Sequence, residues 1–430
     1  MPITANSPAQ ARALRIACTI SAAAGFETLE GVEAALAEQN CEAQSVLYDL
    51  RGLNRRAPVQ AGAYRGPGTV EIVTPGEIGR KESRLPEHLA ILANGGSGWF
   101  RSLVAFAEEK LRRQQTDVLV QASDRTYYEY AFLCAAYACG IPAVMVPPGP
   151  FTVLGAETQK GMAWKSYASA IGLLRFAGLL PRLPINGLGG YARIAAASDH
   201  YRRAWIELGV DPARVVTTGI VRYDKLTRLA STRSSDPRTG RFRILLLWQP
   251  FVEHGRLARS ALVRALHLAQ DAARAVGGDH ELVIRCHPRS SEDDIRRITE
   301  PESIECVVTS SNRPIEDDVV EASVVLGFYS SAMLETALLG AQTLGLALMP
   351  EDFNETAEFE KTEWMRAVGF PMVSEVADLA GRMRSVAQGR VSGMTWSEGL
   401  ENELGPRDGH AADRVASLLL EVSRAAAGGT

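Results

Sequence analysis

Cysteine is sparse in this chain. The six thiols, Cys18, Cys41, Cys134, Cys139, Cys286 and Cys306, fall mostly in apolar runs and show neither C-x-x-C spacing nor a regular framework. Buried free thiols in a reducing compartment are therefore expected, and a disulfide scaffold or a cysteine-built zinc site is not. Long apolar runs are lacking as well. No stretch approaches the roughly 18 to 20 residues that a membrane-crossing helix needs, and residues 1–13 have neither the basic start nor the apolar core of a secretory leader. A cytoplasmic protein is expected. Nor is there an excess of charge of one sign: 46 Lys and Arg stand against 50 Asp and Glu, a formal net charge of -4. That balance argues against a broad surface for nucleic acid, while a local basic pocket stays open. The apolar stretch 171–181, with Lys165, Arg175 and Arg182 around it, leaves room for a peripheral membrane contact, the alternative being a buried helix.

What the chain does have is apolar content, 46% of 430 residues, enough for a large core, and a length that favours two domains over one. Residues 14–20 read as a strand, followed by a small-residue turn, a helix over 26–38 with Leu29, Val32, Ala35 and Leu36 on one face, and a second strand at 43–48. The stretch 52–85, rich in Gly, Pro and Arg with one strand at 69–73, reads as loop or excursion. Helix 99–113, strand 117–122, helix 127–139 and strand 141–146 then alternate as a parallel sheet requires. Short strands at 193–197 and 215–218 flank a helix at 200–208 that Ser198 and Asp199 are placed to cap.

Residues 231–241, polar and broken by Pro and Gly, are the best linker in the chain. A second series follows, with strands at 243–248, 281–286, 306–309, 324–326 and 343–347 and helices at 259–276 and 292–298. The expected fold class is α/β: two doubly wound, Rossmann-like domains facing a cleft, covering 1–235 and 236–390. Residues 391–430 form a tail and an amphipathic helix that packs back on the body.

Two strands of the second series stop abruptly at small or polar groups, which is how a buried parallel strand reads where its carboxyl end opens on a ligand site. One runs into His287, Pro288 and Arg289; the other runs into Ser330 and Ser331, just before a helical run. His287 and Arg289 offer cation and donor groups, and the serines stand where backbone N–H groups and the helix dipole favour an anion. Together they read as a phosphate clamp. Each half alone has a plainer reading, a His-Pro turn and a helix cap, and it is their pairing that favours a ligand.

The segment 215–226, with Gly219, Arg222 and Asp224, resembles the turn that closes the N-terminal half of many GT-B fold glycosyltransferases. His287-Pro288 and Ser330-Ser331 resemble the HP and SS motifs of bacterial sialyltransferases, polysialyltransferases and related capsule transferases. Residues 406–414 resemble the D-G-x-A turn before the last helix of these proteins. CDP-glycerol glycerophosphotransferases and UDP-N-acetylglucosamine 2-epimerases share the general architecture. The resemblance covers roughly residues 115–425 and implies a nucleotide-sugar site built mainly by the second domain. His287 would bond a donor phosphate oxygen, Pro288 would fix the turn, Ser330 and Ser331 would bind the remaining oxygens, and Glu335 would hold a ribose. Gln249 and His254 lie where GT-B proteins reach the donor from above, a plain surface loop being the equal alternative. The departing nucleotide would be stabilised by fixed donors, with no metal and no cofactor beyond the nucleotide-sugar itself.

A transferase also needs a base for its acceptor. Glu27 and Glu30 after the first strand and Asp124 after strand 117–122 are the candidates, against the plainer readings of solvated first-turn carboxylates and a helix cap. Asp124 resembles the acidic residue of the Gly-Asp turn in the 2-epimerases. Those enzymes carry His-x-Glu-x-Gly after the strand that here is 141–146, whereas this chain reads Pro147-Pro-Gly-Pro-Phe151, which counts against epimerisation. The acidic-acidic-Gly motif of sialyltransferases is only approximated by Glu27-Thr-Leu-Glu30-Gly31. The implied activity is metal-independent transfer of a sugar, a CMP-linked acidic one favoured, to a glycan or small-molecule acceptor. A nucleotide-sugar 2-epimerase or hydrolase and a non-catalytic nucleotide-binding scaffold are the alternatives.

Overall fold

A computed structural model describes residues 12–53, 64–80, 87–150, 162–184, 186–232, 241–354, 356–390 and 394–428. Short, largely β-branched and apolar runs, buried except at the edge strands, form thirteen described strands, and every pairing between them is parallel. The first lobe holds β1 (Leu14–Ile20), β2 (Ala43–Asp49), β3 (Thr69–Ile72), β4 (Val118–Gln121), β5 (Ala143–Met145), β6 (Arg193–Ala196) and β7 (Val215–Thr217). Its helices are α1 (Ala24–Glu38), α2 (Glu87–Ala93), α3 (Ser97–Arg113), α4 (Tyr127–Ala138), α5 (Met162–Phe176), α6 (Asp199–Glu207) and α7 (Tyr223–Thr232). The strand order is β3-β2-β1-β4-β5-β6-β7.

The side-chain alternation of β1 explains why both faces of this sheet are covered. Ile16, Cys18 and Ile20 share one core with Leu29, Val32 and Leu36 of α1, while Ala17 joins the opposite core with Tyr48, Leu103, Leu119 and Phe132. Burial on two faces is what makes these strands read as nearly continuous apolar runs.

The second lobe repeats the plan. Strands β8 (Phe242–Leu247), β9 (His280–Arg285), β10 (Val307–Thr309), β11 (Val324–Gly327), β12 (Thr343–Leu346) and β13 (Met372–Val373) lie in the order β10-β9-β8-β11-β12-β13. They alternate with α8 (Arg259–Val276), α9 (Glu292–Thr299), α10 (Ile315–Glu321), α11 (Ser331–Leu338), α12 (Thr356–Val368) and α13 (Val376–Ala387). In each sheet the chain starts in the middle and then reverses its direction of growth, so crevices open between β1 and β4 and between β8 and β11 at the carboxyl ends of the strands. Two doubly wound α/β lobes of a GT-B-like fold result.

The chain then returns to the first lobe. Helix α14 (Glu398–Leu404) packs on α6, and α15 (Ala411–Gly428) packs on α1, placing Val415, Leu419 and Val422 in the core that holds Ile16 and Leu29. Gly405 makes the turn between them with φ of 68°, and a Cβ there would stand 1.8 Å from the Ala197 carbonyl oxygen, so only glycine fits. Asp224, buried at the start of α7, accepts the N–H groups of Ala411 (3.1 Å) and Ala412 (2.8 Å) and so caps α15 from 187 residues away.

Of the linker expected at 231–241, Ser231 and Thr232 end α7, Arg241 precedes β8, and 233–240 lie outside the described residues. The edge strand β13, two residues long, and helices α12 to α14 are not among the elements read from sequence. Among the described residues no helix is long and apolar enough to cross a membrane. All six cysteines are free, Cys18 and Cys286 buried and the other four half-buried.

Removing the Asp224 carboxylate leaves two helix N–H groups without their acceptor. Asp224→Ala is expected to lower unfolding stability by about 1–3 kcal/mol and to speed amide exchange across 411–422, read by urea unfolding with hydrogen-exchange mass spectrometry. Unchanged protection of α15 would show that this cap does not hold the return helix.

Candidate functional site

Strand register brings the second-lobe candidates to one edge. Leu246 of β8 lies beside Ile284 of β9 and Leu326 of β11, so Gln249, His287 and Tyr329 each leave the sheet three residues further on. The pairing persists past the strand ends: Trp248 N–H donates to the Arg285 carbonyl at 3.0 Å and Cys286 N–H to that of Thr309 at 2.9 Å. Adjacent strands are about 4.8 Å apart, so His287 and the Ser330 turn stand roughly 10 Å from each other on either side of the β8 exit. Phe251 packs its ring on Tyr329 (4.9 Å) and Phe328 (5.8 Å) and floors this crevice. Gln249 is buried, while His254, Pro288 and Arg289 are exposed around the rim.

His287 is not the cation that the sequence leads one to expect. Burial, then the charge of Arg289, then His254 push its pKa down to about 4, so the imidazole is neutral near pH 7. Its Nδ1 accepts the Arg289 N–H at 3.1 Å, which places the ring proton on Nε2 and makes that atom a donor. The Ser290 N–H bonds the His287 carbonyl at 2.9 Å and completes the tight turn.

Ser330 caps α11. Its extended backbone (φ -166°) lets Oγ accept the Ala332 N–H at 3.1 Å, while the hydroxyl proton remains available for a second partner. Ser331 is the first residue of the helix, where backbone dipoles favour negative charge.

The first-lobe candidates divide differently. Arg222, one of the expected ligand contacts, bridges the lobes: it donates to the Pro148 carbonyl (2.7 Å), to the Tyr223 hydroxyl (3.1 Å) and to the Glu335 carboxylate (2.6 Å). Burial works against this charge, but Tyr223, Glu335 and Glu27 outweigh it and raise the Arg222 pKa. Glu335, for which the resemblance implied a ribose contact, is engaged here by Arg222 as an inter-lobe ion-pair partner. Lys225 of α7 pairs with Glu316 of α10 as a second link.

Gly219, with φ of 86° and a Cβ position 3.1 Å from Ala411, serves the packing of α15. Asp124 is neither on the cleft surface nor a helix cap. It is fully buried, its two oxygens accept the N–H groups of Gly187 (3.0 Å) and Gly189 (2.9 Å), and Thr126 caps α4 in its place. Burial, opposed by those bonds, raises its pKa. Glu30 accepts the Arg65 N–H.

Glu27 alone of the three acids keeps an exposed carboxylate beside the inter-lobe contact, 4.0 Å from Arg222. Partial enclosure raises its pKa, Arg222 opposes this, and Glu335, Glu30 and Glu316 add to it.

Sequence reasoning missed Glu129. This fully buried residue of α4 accepts from Ser21 (2.6 Å), Ser123 (2.8 Å) and Thr126 (3.1 Å), tying the exits of β1 and β4 together at the first-lobe crevice. Burial raises its pKa and the three hydroxyls oppose that. The Thr126-x-x-Glu129 capping spacing was the readable signal. A cavity of about 270 Å³ lined by Arg15, Ser45, Gly68 and Gln114 lies at the opposite, amino-terminal ends of β1 and β2 and takes no part in this site.

No family model matches this chain, and no curated protein matches it. Solved structures do. The UDP-GlcNAc 2-epimerase of Methanocaldococcus jannaschii is similar over 95% of this chain and 100% of its own, at 12% identity and a TM-score of 0.55. The Neisseria meningitidis UDP-GlcNAc 2-epimerase bound to UDP-GlcNAc is similar over 95% and 99%, at 12% identity and a TM-score of 0.53. A variant of the wall teichoic acid polymerase TagF is similar over 96% and 89%, at 10% identity and a TM-score of 0.51. At such identities the likeness is one of fold, and it matches the two-lobed GT-B-like architecture. None of these three is a sialyltransferase.

Because the folded His287 pKa lies below the ordinary histidine value of about 6.5, the unfolded chain takes up this proton first. Its contribution to stability is therefore fully present above about pH 6.5 and is lost as pH falls towards 4. A ring titration by NMR is expected to show a midpoint well below 6.5, and His287→Gln to flatten that part of the stability profile. A midpoint at the free histidine value would refute the enclosed, neutral ring.

Proposed function

We propose that this protein is an enzyme that acts on a nucleotide-activated sugar and transfers the sugar to a glycan or small-molecule acceptor, with a CMP-linked acidic sugar favoured as donor. One observation carries the reading: β9, β8 and β11, side by side, deliver His287, Gln249 and the Ser330-Ser331 helix start to a single crevice at the strand carboxyl ends. Donor phosphate would sit between the His287 Nε2–H, the two serine hydroxyls and the first turn of α11. A neutral imidazole donates one hydrogen bond there without needing a proton from solvent. Leaving-group charge builds on the phosphate as the glycosidic bond breaks, and fixed donors are worth most where charge develops.

Glu27 is the proposed base for the acceptor hydroxyl. Its carboxylate is open to the cleft, and its raised pKa brings it nearer to the range in which a base both stays ionised and takes up a proton. Glu30 and Asp124 are set aside because backbone N–H groups hold them.

The fold likeness to UDP-GlcNAc 2-epimerases favours a second reading, epimerisation or hydrolysis of the same class of donor. Against it stands the loop after β5, where Pro147 and Pro148 supply no acid and the Pro148 carbonyl is bonded by Arg222. The product separates the readings: sugar on an acceptor, or sugar released or epimerised. A protein that binds nucleotide without turnover is the scaffold case.

Calorimetry with CMP, CDP, UDP and GDP would identify the base. His287→Ala and Ser331→Ala are each expected to weaken the preferred nucleotide about tenfold or more, the scale of about 1.4 kcal/mol per decade. Ser330→Ala removes a helix cap as well and should also lower thermal stability. Unchanged affinity in both His287→Ala and Ser331→Ala would remove the phosphate site from this crevice. Glu27→Gln is expected to reduce turnover at least about a hundredfold with nucleotide affinity retained, and full turnover in that variant would dismiss Glu27 as base.

A further inference from the structure

Helix α5 and the turn after it carry an apolar surface that the reaction does not use. Leu173, Phe176 and Leu179 are 67%, 79% and 51% exposed, and no other stretch of seven described residues holds three such side chains. Ser169, Ala170, Gly172, Ala177 and Gly178 fill the rest of the exposed face with small groups. The buried-helix alternative for 171–181 is thus corrected: Ile171 and Leu180 turn inward and Leu174 packs against the core, while Leu173, Phe176 and Leu179 face solvent.

The sequence that carries this face is one-sided in charge. From residue 158 to residue 198 the sequence has five basic residues, Lys160, Lys165, Arg175, Arg182 and Arg193, and no acidic one, within a protein of net charge -4. Arg193 pairs with Glu421, and Arg175 turns towards the Tyr127 hydroxyl at 3.5 Å. Arg182 is exposed beside Leu179. Exposed Arg101 lies one turn beyond Ser97 on α3, and Ser97 is bonded to the Leu179 carbonyl (3.0 Å) and the Gly178 carbonyl (2.7 Å). The acid of the adjoining α2, Glu87, is engaged by the Tyr127 N–H at 2.7 Å.

The patch is also fixed in place relative to the cleft. Pro181 accepts from the Tyr127 hydroxyl at 3.3 Å, and Tyr127 opens α4 just after β4. The chain beyond it is pinned to the same sheet edge through Gly187, Gly189 and the buried Asp124.

We propose that this face docks on an anionic membrane surface, with Leu173, Phe176 and Leu179 entering the acyl boundary and Arg182 and Arg101 meeting lipid phosphates. Bulky apolar tips set among small residues, with cations at the rim and no acid in the segment, suit a fluid negative surface that demands no fixed complementary shape. The surface rests on exposure and charge alone and holds whichever reaction the cleft performs.

Co-sedimentation tests it, using vesicles of phosphatidylcholine alone and of phosphatidylcholine mixed with phosphatidylglycerol. The wild-type protein is expected to bind the mixed vesicles, less tightly as salt rises, and Leu173→Ser with Phe176→Ser to weaken that binding about tenfold or more. Arg182→Glu is expected to reduce the preference for the anionic mixture, which keeps the proposal testable should the double variant fail to fold. Absence of binding to mixed vesicles, or equal binding by wild type and both variants, overturns the proposal. So does light scattering that shows an oligomer dissolved by Leu173→Ser with Phe176→Ser when neither form sediments with lipid, since the face would then join copies of the chain.

Discussion

The ion pair between Arg222 and Glu335, 2.6 Å apart with both side chains mostly buried, holds the two lobes in register. Arg222 follows the last strand of the first sheet and Glu335 sits one turn into the helix after β11, so the contact turns the carboxyl ends of both sheets towards each other. Pro148, at the exit of β5, joins the same guanidinium. Removing one partner of such a buried pair typically costs about 3–5 kcal/mol, because the other charge is left desolvated. The Lys225–Glu316 pair, with its lysine exposed, adds less. The cleft depends on Arg222 more than on any group that would touch a ligand.

A second constraint is the return of the chain. The first lobe completes its core with residues from the far end of the sequence, through Asp224 holding the start of α15 and Val415, Leu419 and Val422 covering β1. The link from Arg222 to Asp224 therefore does two jobs within three residues. One end bonds the opposite lobe, and the other anchors the helix that closes its own.

Much of this is legible in the sequence. The strands around Ile16, Val120, Leu246 and Ile284 are short apolar runs between turn residues, and the two-sheet α/β plan follows from their alternation with helices. His287 and Ser330 stood out for the same reason, since each ends such a run. What stayed hidden depends on partners distant in sequence. The Arg222–Glu335 pair spans 113 residues, the Asp124 carboxylate is taken by a loop 63 and 65 residues away, and the neutral state of His287 arises from burial together with Arg289 and His254. The outward face of α5 was equally closed to sequence reading, because an apolar helix shows the same composition whether it is covered or bare.

On the proposed function, one crevice, at the exits of β9, β8 and β11, would receive a phosphate on a neutral imidazole and a helix start. A crystal structure with the preferred nucleotide bound tests it most directly. Phosphate density within hydrogen-bonding reach of His287 Nε2 and of the Ser331 hydroxyl is the expected result. A nucleotide lodged elsewhere, with both groups still facing solvent, would contradict it.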